Sequence, residues 1–186
     1  MLGENVAGFP TRPDVTLGEI AEASASRMLA WMQTPHVAEP LGLSVTPTLE
    51  RTQSWIQRAV LKEDVRAWAI LAGDEHVGNV VFDQIDYKAL AARLSVYIGP
   101  AEFRHSGIGT TALYLGLQRI FEELSLHRVW LTVHAENAAA IRLYRSVGFR
   151  CEGILREAFV CGSRRVDAIY MGLLRREFSL EKAADR

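Results

Sequence analysis

Cysteine is scarce in this chain, and neither sign of charge is in excess. Cys151 and Cys161 are the only two cysteines among 186 residues. They stand in neighbouring strand-like stretches without metal-ligand spacing or a redox motif, so both read as reduced, packing thiols of a cytosolic protein. Twenty-one Lys and Arg face twenty-two Asp and Glu, a formal charge of −1. That balance argues against nucleic-acid binding, because neutralising phosphates needs a concentrated basic surface. No apolar run approaches the ~20 residues of a membrane-spanning helix. The first residues, Met1 to Ala7, lack the basic region and apolar core of a signal peptide. The expected setting is cytoplasmic, with no membrane partner and no metal.

What is present fits a single domain over residues 1–186. Apolar residues make up 49% and charged residues 23%, ordinary for a chain that buries a core without disulfides. Residues 1–13 read as a flexible lead-in and 175–186 as a C-terminal tail. Asp14 to Leu17 reads as a short strand, and 19–32 as a helix on the spacing of Ile20, Ala23, Met28, Leu29 and Met32. A turn-rich stretch, Thr34 to Val45, precedes Thr46-Pro47, an N-cap and first-turn proline opening a helix through Leu49, Trp55, Ile56 and Val60.

The pattern then changes to strands. Arg66 to Leu71 and His76 to Phe82 flank a hairpin turn at Gly73-Asp74-Glu75. An irregular link, Asp83 to Ala91, leads to a strand at Arg93 to Ile98. A helix over 107–124, a strand at Arg128 to His134, a helix from Asn137 to Val147 and strands near 149–160 and 165–174 complete the chain. Helices first, then a meander, then alternating strands and helices imply a mixed sheet with helices on its faces.

The sharpest motif is Arg104-His105-Ser106-Gly107-Ile108-Gly109-Thr110, where a strand and short loop pass into an amphipathic helix. Glycines there let backbone approach an anion, and the first helical amides point outward along the positive end of the dipole. This is a phosphate or pyrophosphate site, to which Arg104 adds charge. A glycine-rich turn that merely packs helix on strand would look similar. The P-loop pattern is absent, and a dinucleotide fold does not suit the preceding meander. Downstream, Asn137 and Tyr144 lie seven residues apart, two helical turns, and so share a face of the helix that Gly148 stops. Core packing of Tyr144 is the alternative.

Arg104-x-x-Gly107-x-Gly109 followed by Asn137-x-x-Ala140-x-x-Leu143-Tyr144-x-x-x-Gly148-Phe149 resembles the GNAT superfamily of N-acetyltransferases. Glu152-Gly153-Ile-Leu-Arg156-Glu157 and Asp167-Ala-Ile-Tyr-Met171-Gly172 resemble its RimJ/RimL-type branch. The match covers roughly residues 64–177. It implies an α/β (α+β) fold with a mixed, mostly antiparallel sheet of six or seven strands, two central parallel strands splayed apart, and helices on both faces. The resemblance further implies that acetyl-CoA wedges into the splay. Its pantetheine would pair with backbone at Val96, Tyr97 and Ile98, and its pyrophosphate would rest on the amides of Arg104 to Gly109. Asn137 would hydrogen-bond the cofactor, beside Ala140, and Tyr144 would face the thioester sulfur. Two departures stand out: His105 and Ser106 separate Arg104 from Gly107, and the opening strand reads Leu17-Gly18 where members read Leu-Arg.

The implied chemistry is attack of a neutral amine on the thioester through a tetrahedral oxyanion, with an amide of 96–98 as oxyanion donor and Tyr144 as general acid. Relatives that acetylate protein N-termini often carry Leu-Glu-Val-Arg-x-x-Asn; this chain reads Leu131-Thr132-Val133-His134-Ala135-Glu136-Asn137. With that glutamate absent, the candidates for proton removal are His134, Glu136 or a water chain ending at bulk solvent, and a strand-end histidine is ordinarily solvated. Trp31, Trp55, Trp68 and Trp130 read as core, although Trp31 and Trp55 lie in helices that cover the acceptor groove in this family. Asp83 and Asp86 read as solvated loop residues, with binding of a cationic acceptor the alternative. A small amine is the leading acceptor: an amino sugar, an antibiotic-like amine, a polyamine or an amino acid. A protein N-terminus is second, a non-catalytic acyl-CoA sensor third. A homodimer is common in this branch.

Overall fold

The computed structural model describes residues 15–42, 46–61 and 64–179. The lead-in at 1–13, Asp14, Leu43 to Val45 and the tail from 180 lie outside these residues. Strands β1 (Val15–Gly18), β2 (Arg66–Ala72), β3 (Glu75–Asp86) and β4 (Ala91–Ile98) form an antiparallel meander. β5 (Arg128–His134) joins β4 in parallel, then β6 (Arg150–Cys161) and β7 (Arg164–Leu174) close the sheet antiparallel, in the order β1-β2-β3-β4-β5-β7-β6. The mixed, mostly antiparallel sheet implied by the resemblance is the one observed.

Alternation along the strands puts helices on both faces. Trp68 and Ile70 of β2 enter the large core built around α4 (Ile108–Leu124) and α5 (Ala138–Val147). Ala69 between them enters a second cluster with Met28 of α1 (Ala25–Met32) and Ile56 of α3 (Leu49–Leu61). Covering both faces explains why residues 76–82 of β3 are buried one after another, without alternation. Leu113, Leu117 and Ile120 of α4 are fully buried, each worth about 1.5–3 kcal/mol. α4 crosses the sheet closely at Gly116, where a Cβ would lie 2.6 Å from Val80 Cγ1.

β4 and β5 are the parallel pair, and they pair only briefly. Ala91↔Arg128, Ala92↔Val129 and Arg93↔Trp130 are in register. Beyond Arg93, β4 stays with β3 through Gly78↔Ile98, while β5 stays with β7 through His134↔Ala168. The two strands therefore diverge.

Several expectations need correction. Thr34 to Val45 is not simply turns: α2 (Pro35–Leu41) has proline in its first turn and Gly42 beyond its end at φ 60°. Gly42 has a second reason to be glycine, since a Cβ would meet Phe159 Cε1 at 2.6 Å. The cap of α3 is Thr48, not Thr46: Thr48 Oγ1 accepts from the Arg51 amide at 3.3 Å and its carbonyl from the Thr52 amide at 2.9 Å. The helix expected over 19–32 begins as a 3₁₀ turn, Glu22–Ser24, before α1. β3 runs on to Asp86, across a register shift after Asp83 and Gln84 at φ 48°. The first residues assigned to a tail form a 3₁₀ turn, Arg175–Glu177.

Candidate active site

Where β4 and β5 part, a cavity of about 330 Å³ opens between them. Val96, Tyr97 and Ile98 of β4 form one wall. One edge of this segment is paired with β3, and the other has no strand partner. Main-chain groups on that edge are free to bond a ligand.

The mouth of α4 forms the second wall, through Gly107, Gly109 and Thr110. Gly107 caps the helix at φ 86°, and its carbonyl accepts the Thr111 amide at 3.1 Å. Helical geometry leaves the amides of Ile108, Gly109 and Thr110 without intrahelical acceptors, aimed along the positive dipole end. A Cβ on Gly107 would meet nothing within 4 Å, so the surface there is bare backbone. His105 borders the cavity as well, at φ 58°.

Not every predicted residue of this turn faces the cavity. The Arg104 amide already donates to Ala101 O at 3.1 Å, so the run of available amides starts beyond it. Ser106 Oγ donates to Phe103 O at 2.5 Å, and the Ile108 side chain is buried in the core. The Arg104 guanidinium does border the cavity. Its Nη2 donates to Gly99 O at 2.6 Å and abuts His36 Nε2, while its Nε is buried without a partner. His36 was missed because it belongs to α2. A threonine before Pro35 and a glycine at Gly42 were the available signals for that helix.

α5 supplies the third wall. Asn137 Oδ1 accepts the Ala140 amide at 3.0 Å, a genuine N-cap, and both residues border the cavity. Tyr144, two turns on, is 8% exposed and packs edge-on against Phe149 at 5.7 Å. Burial pushes its phenol up to about 12. His134, at the end of β5, departs from expectation: it is buried, not solvated. Its ring lies 4.1 Å from that of Phe159, its Nδ1 is 3.5 Å from Cys161 Sγ, and its Nε2 has no partner among the described residues. Cys161 therefore does have an imidazole neighbour. Glu136 is exposed and pairs with Arg164 at 3.3 Å, away from the cavity lining.

Backbone amides at a helix mouth, a free strand edge and a buried phenol in one cleft fit a long phosphorylated thioester. Arg104 Nε and His134 Nε2 are buried without a hydrogen-bond partner among the described residues, and both residues line the same space. A family model described as an acetyltransferase (GNAT) domain matches residues 14–150. The chain belongs to the GNAT family. Among relatives, the spermidine N(1)-acetyltransferase of Escherichia coli K12 is 25% identical over 170 residues, 91% of this chain and 86% of that protein. The E. coli K12 ribosomal protein bS18–alanine N-acetyltransferase is 35% identical over 100 residues, 52% of this chain and 60% of that one. A crystal structure of Vibrio cholerae spermidine N-acetyltransferase with CoA and spermine shares the fold at TM-score 0.82 and 21% identity, covering 88% of this chain and 97% of that one. The protein is an acetyl-CoA-dependent N-acetyltransferase.

This GNAT chain carries a second cavity, of about 250 Å³, between β3–β4 and the helices α1 and α3. Leu41, Ser95 and Tyr97 border both cavities, so the two meet across β4. Tyr97 is fixed by a polar chain. Ser24 Oγ lies 3.2 Å from His76 Nδ1, and His76 Nε2 donates towards Gly78 O at 2.9 Å and Asn79 Oδ1 at 3.0 Å. Asn79 Nδ2 then donates to the Tyr97 hydroxyl at 2.6 Å. Burial raises the Tyr97 phenol to about 12 against the opposing Asn79 bond. Burial likewise lowers His76, which Asn79 and Gly78 oppose and Arg27 reinforces.

The tryptophans divide between roles. Trp68 is core. Trp130 stacks on Tyr170 at 5.2 Å. Trp31 sits edge-on to His76 at 5.1 Å and fills the space a Gly99 side chain would need. Trp55 lines the second cavity. Asp83, expected in a solvated loop, is a β3 residue in that cavity, bonded at 2.7 Å to Arg93 Nε and again to its Nη2. Asp86 instead accepts the Lys88 and Ala89 amides of the following turn at 2.8 Å.

Proposed function

We propose that this chain transfers acetyl from acetyl-CoA to the primary amine of a small molecule, with the donor in the β4–β5 cleft and the acceptor in the cavity beneath α1 and α3. The observation that carries this reading is the shared wall at Ser95 and Tyr97, which lets an amine reach a thioester lying along β4. The pyrophosphate rests on the amides of Gly107 to Thr110, with Arg104 turning from Gly99 O towards it. A strand-edge amide within Val96 to Ile98 receives the oxyanion. Asn137 borders the pantetheine, close to Ala140.

Tyr144 protonates the departing sulfur. A phenol near 10 and a thiol near 8.5 are ordinarily matched within about two units. Burial lifts Tyr144 to about 12, and it lifts a thiolate expelled into the same cleft in the same direction. The phenol thus stays protonated until the sulfur needs it. His134, with Nε2 unpartnered and lining the cleft, takes the amine proton, its ring held by Phe159 and Cys161. Glu136, committed to Arg164, does not serve.

The RimJ/RimL-type branch is the finer placement we favour, on the sequence run from Glu152 to Gly172. The ribosomal-protein relative favours the second reading, acetylation of a protein N-terminus. We take residues 1–186 as one cytoplasmic catalytic domain. A homodimer is supported by β6, an edge strand that exposes Ile154, Leu155 and Val160. Incubation with labelled acetyl-CoA and two panels, small amines and N-terminal peptides, tests the assignment. Label in small amines is the expected result, and transfer to peptides alone would reverse the ranking.

A further inference from the structure

We infer that the acceptor carries a carboxylate as well as its amine, and that Arg51 of α3 selects it. This rests on the acetyl transfer proposed above. The charge of the second cavity decides the point. Asp83 is the one carboxylate lining it among the described residues. Both its oxygens are bonded to Arg93, each at 2.7 Å, with the two side chains 24% and 32% exposed. An ammonium group that claimed Asp83 would strip Arg93 of its partner and leave that guanidinium uncompensated. A polyamine, with several ammonium groups, finds no free carboxylate on these walls.

Arg51 presents the opposite case. It lines the same cavity and is exposed. Its amide is held by Thr48 Oγ1, whereas its guanidinium has no ion-pair or hydrogen-bond partner among the described residues. With Asp83 and Arg93 cancelling, the lining keeps one uncompensated positive charge. A guanidinium at a partly apolar wall matches a carboxylate through two parallel bonds. Trp55 stands four residues further along α3, hence on the same face, and Met28 and Met32 border the cavity too. These give the acceptor's carbon body an apolar, adaptable seat. The amine then points to the end at Ser95 and Tyr97, where the two cavities join. A positive lining also disfavours the ammonium form, so it promotes the neutral amine that attack requires.

The test uses matched acceptors that differ only by the carboxylate: tryptophan against tryptamine, methionine against 3-(methylthio)propylamine, with spermidine as the polycation. We expect kcat/KM about tenfold or more higher for the carboxylated member of a pair, the worth of one well-placed charged hydrogen-bond pair. Arg51→Gln should bring that ratio to within about threefold by raising KM of the carboxylated member. Equal rates within both pairs, a preference for spermidine, an unchanged ratio in Arg51→Gln, or no transfer to either carboxylated acceptor overturns the inference. CoA titration of the same protein separates the layers. Binding with any of those outcomes leaves acetyl transfer standing, whereas absence of CoA binding removes the reading beneath it.

Discussion

The cleft we assign to the donor and the cavity we assign to the acceptor share Ser95 and Tyr97 of β4 and are lined differently. The cleft joins exposed main chain, at the amides of Ile108 to Thr110 and the strand edge at Val96 to Ile98, to the side chains of Arg104, His134 and Tyr144. The cavity is mostly side chain: Trp55, Met28, Met32, Arg51 and the Asp83–Arg93 pair. Main chain of this kind suits a phosphorylated donor, whereas side chains set the shape and charge that an acceptor meets.

Substitutions sharpen this contrast in order of expected effect. Tyr144→Phe should lower kcat by about a thousandfold with CoA affinity within about twofold, measured by steady-state kinetics and calorimetry. Unaltered turnover would take the phenol out of the reaction. His134→Gln should lower kcat by about a hundredfold, and a near-normal rate would pass proton removal to water. Gly109→Val should raise KM for acetyl-CoA by about tenfold or more while the protein stays folded, since the nearest atom to a Cβ there is Ile98 Cγ1 at 3.9 Å. A parallel rise in acceptor KM would show that the two cavities are less separable than drawn. Trp55→Ala should do the reverse, weakening acceptor binding several-fold and sparing the donor.

The smallest effects are on pH-dependent stability. The folded Tyr144 phenol sits at about 12 against ~10 unfolded. The native state therefore holds a proton that the unfolded chain releases first. Stability is full below pH 10 and declines as pH rises towards 12, by at most roughly 2–3 kcal/mol for this residue. Urea unfolding of Tyr144→Phe should show a shallower alkaline slope. His76 works in the other direction. Its depressed value means the unfolded chain takes up a proton first, so stability falls as pH drops below about 6.5. Loss of acid sensitivity in His76→Gln would confirm the histidine as its source.

The same contrast explains what could be read from the chain alone. Gly107, Asn137 and Gly148 are legible because their conformations or caps demand those residue types: Gly107 and Gly148 stand at φ 86° and 117°, and the Asn137 side chain caps α5. The mostly antiparallel sheet and its parallel pair followed from the resemblance, whereas the strand order came only with the structure. α2 escaped because it has seven residues, two of them prolines, and punctuates like a loop. With it went His36 and Leu41. His134 was misjudged because a strand end is ordinarily wet, and no local pattern announces that Phe159, from another strand, will cover it. Asp83 was misplaced for a related reason. Its partner Arg93 lies ten residues on, across a turn whose register shift hides the pairing.

Two neighbouring strands that keep step for three residues and then part leave a row of amides tied on one side only. Such a row should exchange its hydrogens with solvent sooner than the doubly paired interior of the sheet, and anything laid along it becomes, in effect, an additional strand. Donor supply would then be written into mechanical firmness as well as occupancy: at a hundred times its dissociation constant a ligand adds about 2.7 kcal/mol, and most of that firmness would be felt between Leu94 and Ile98.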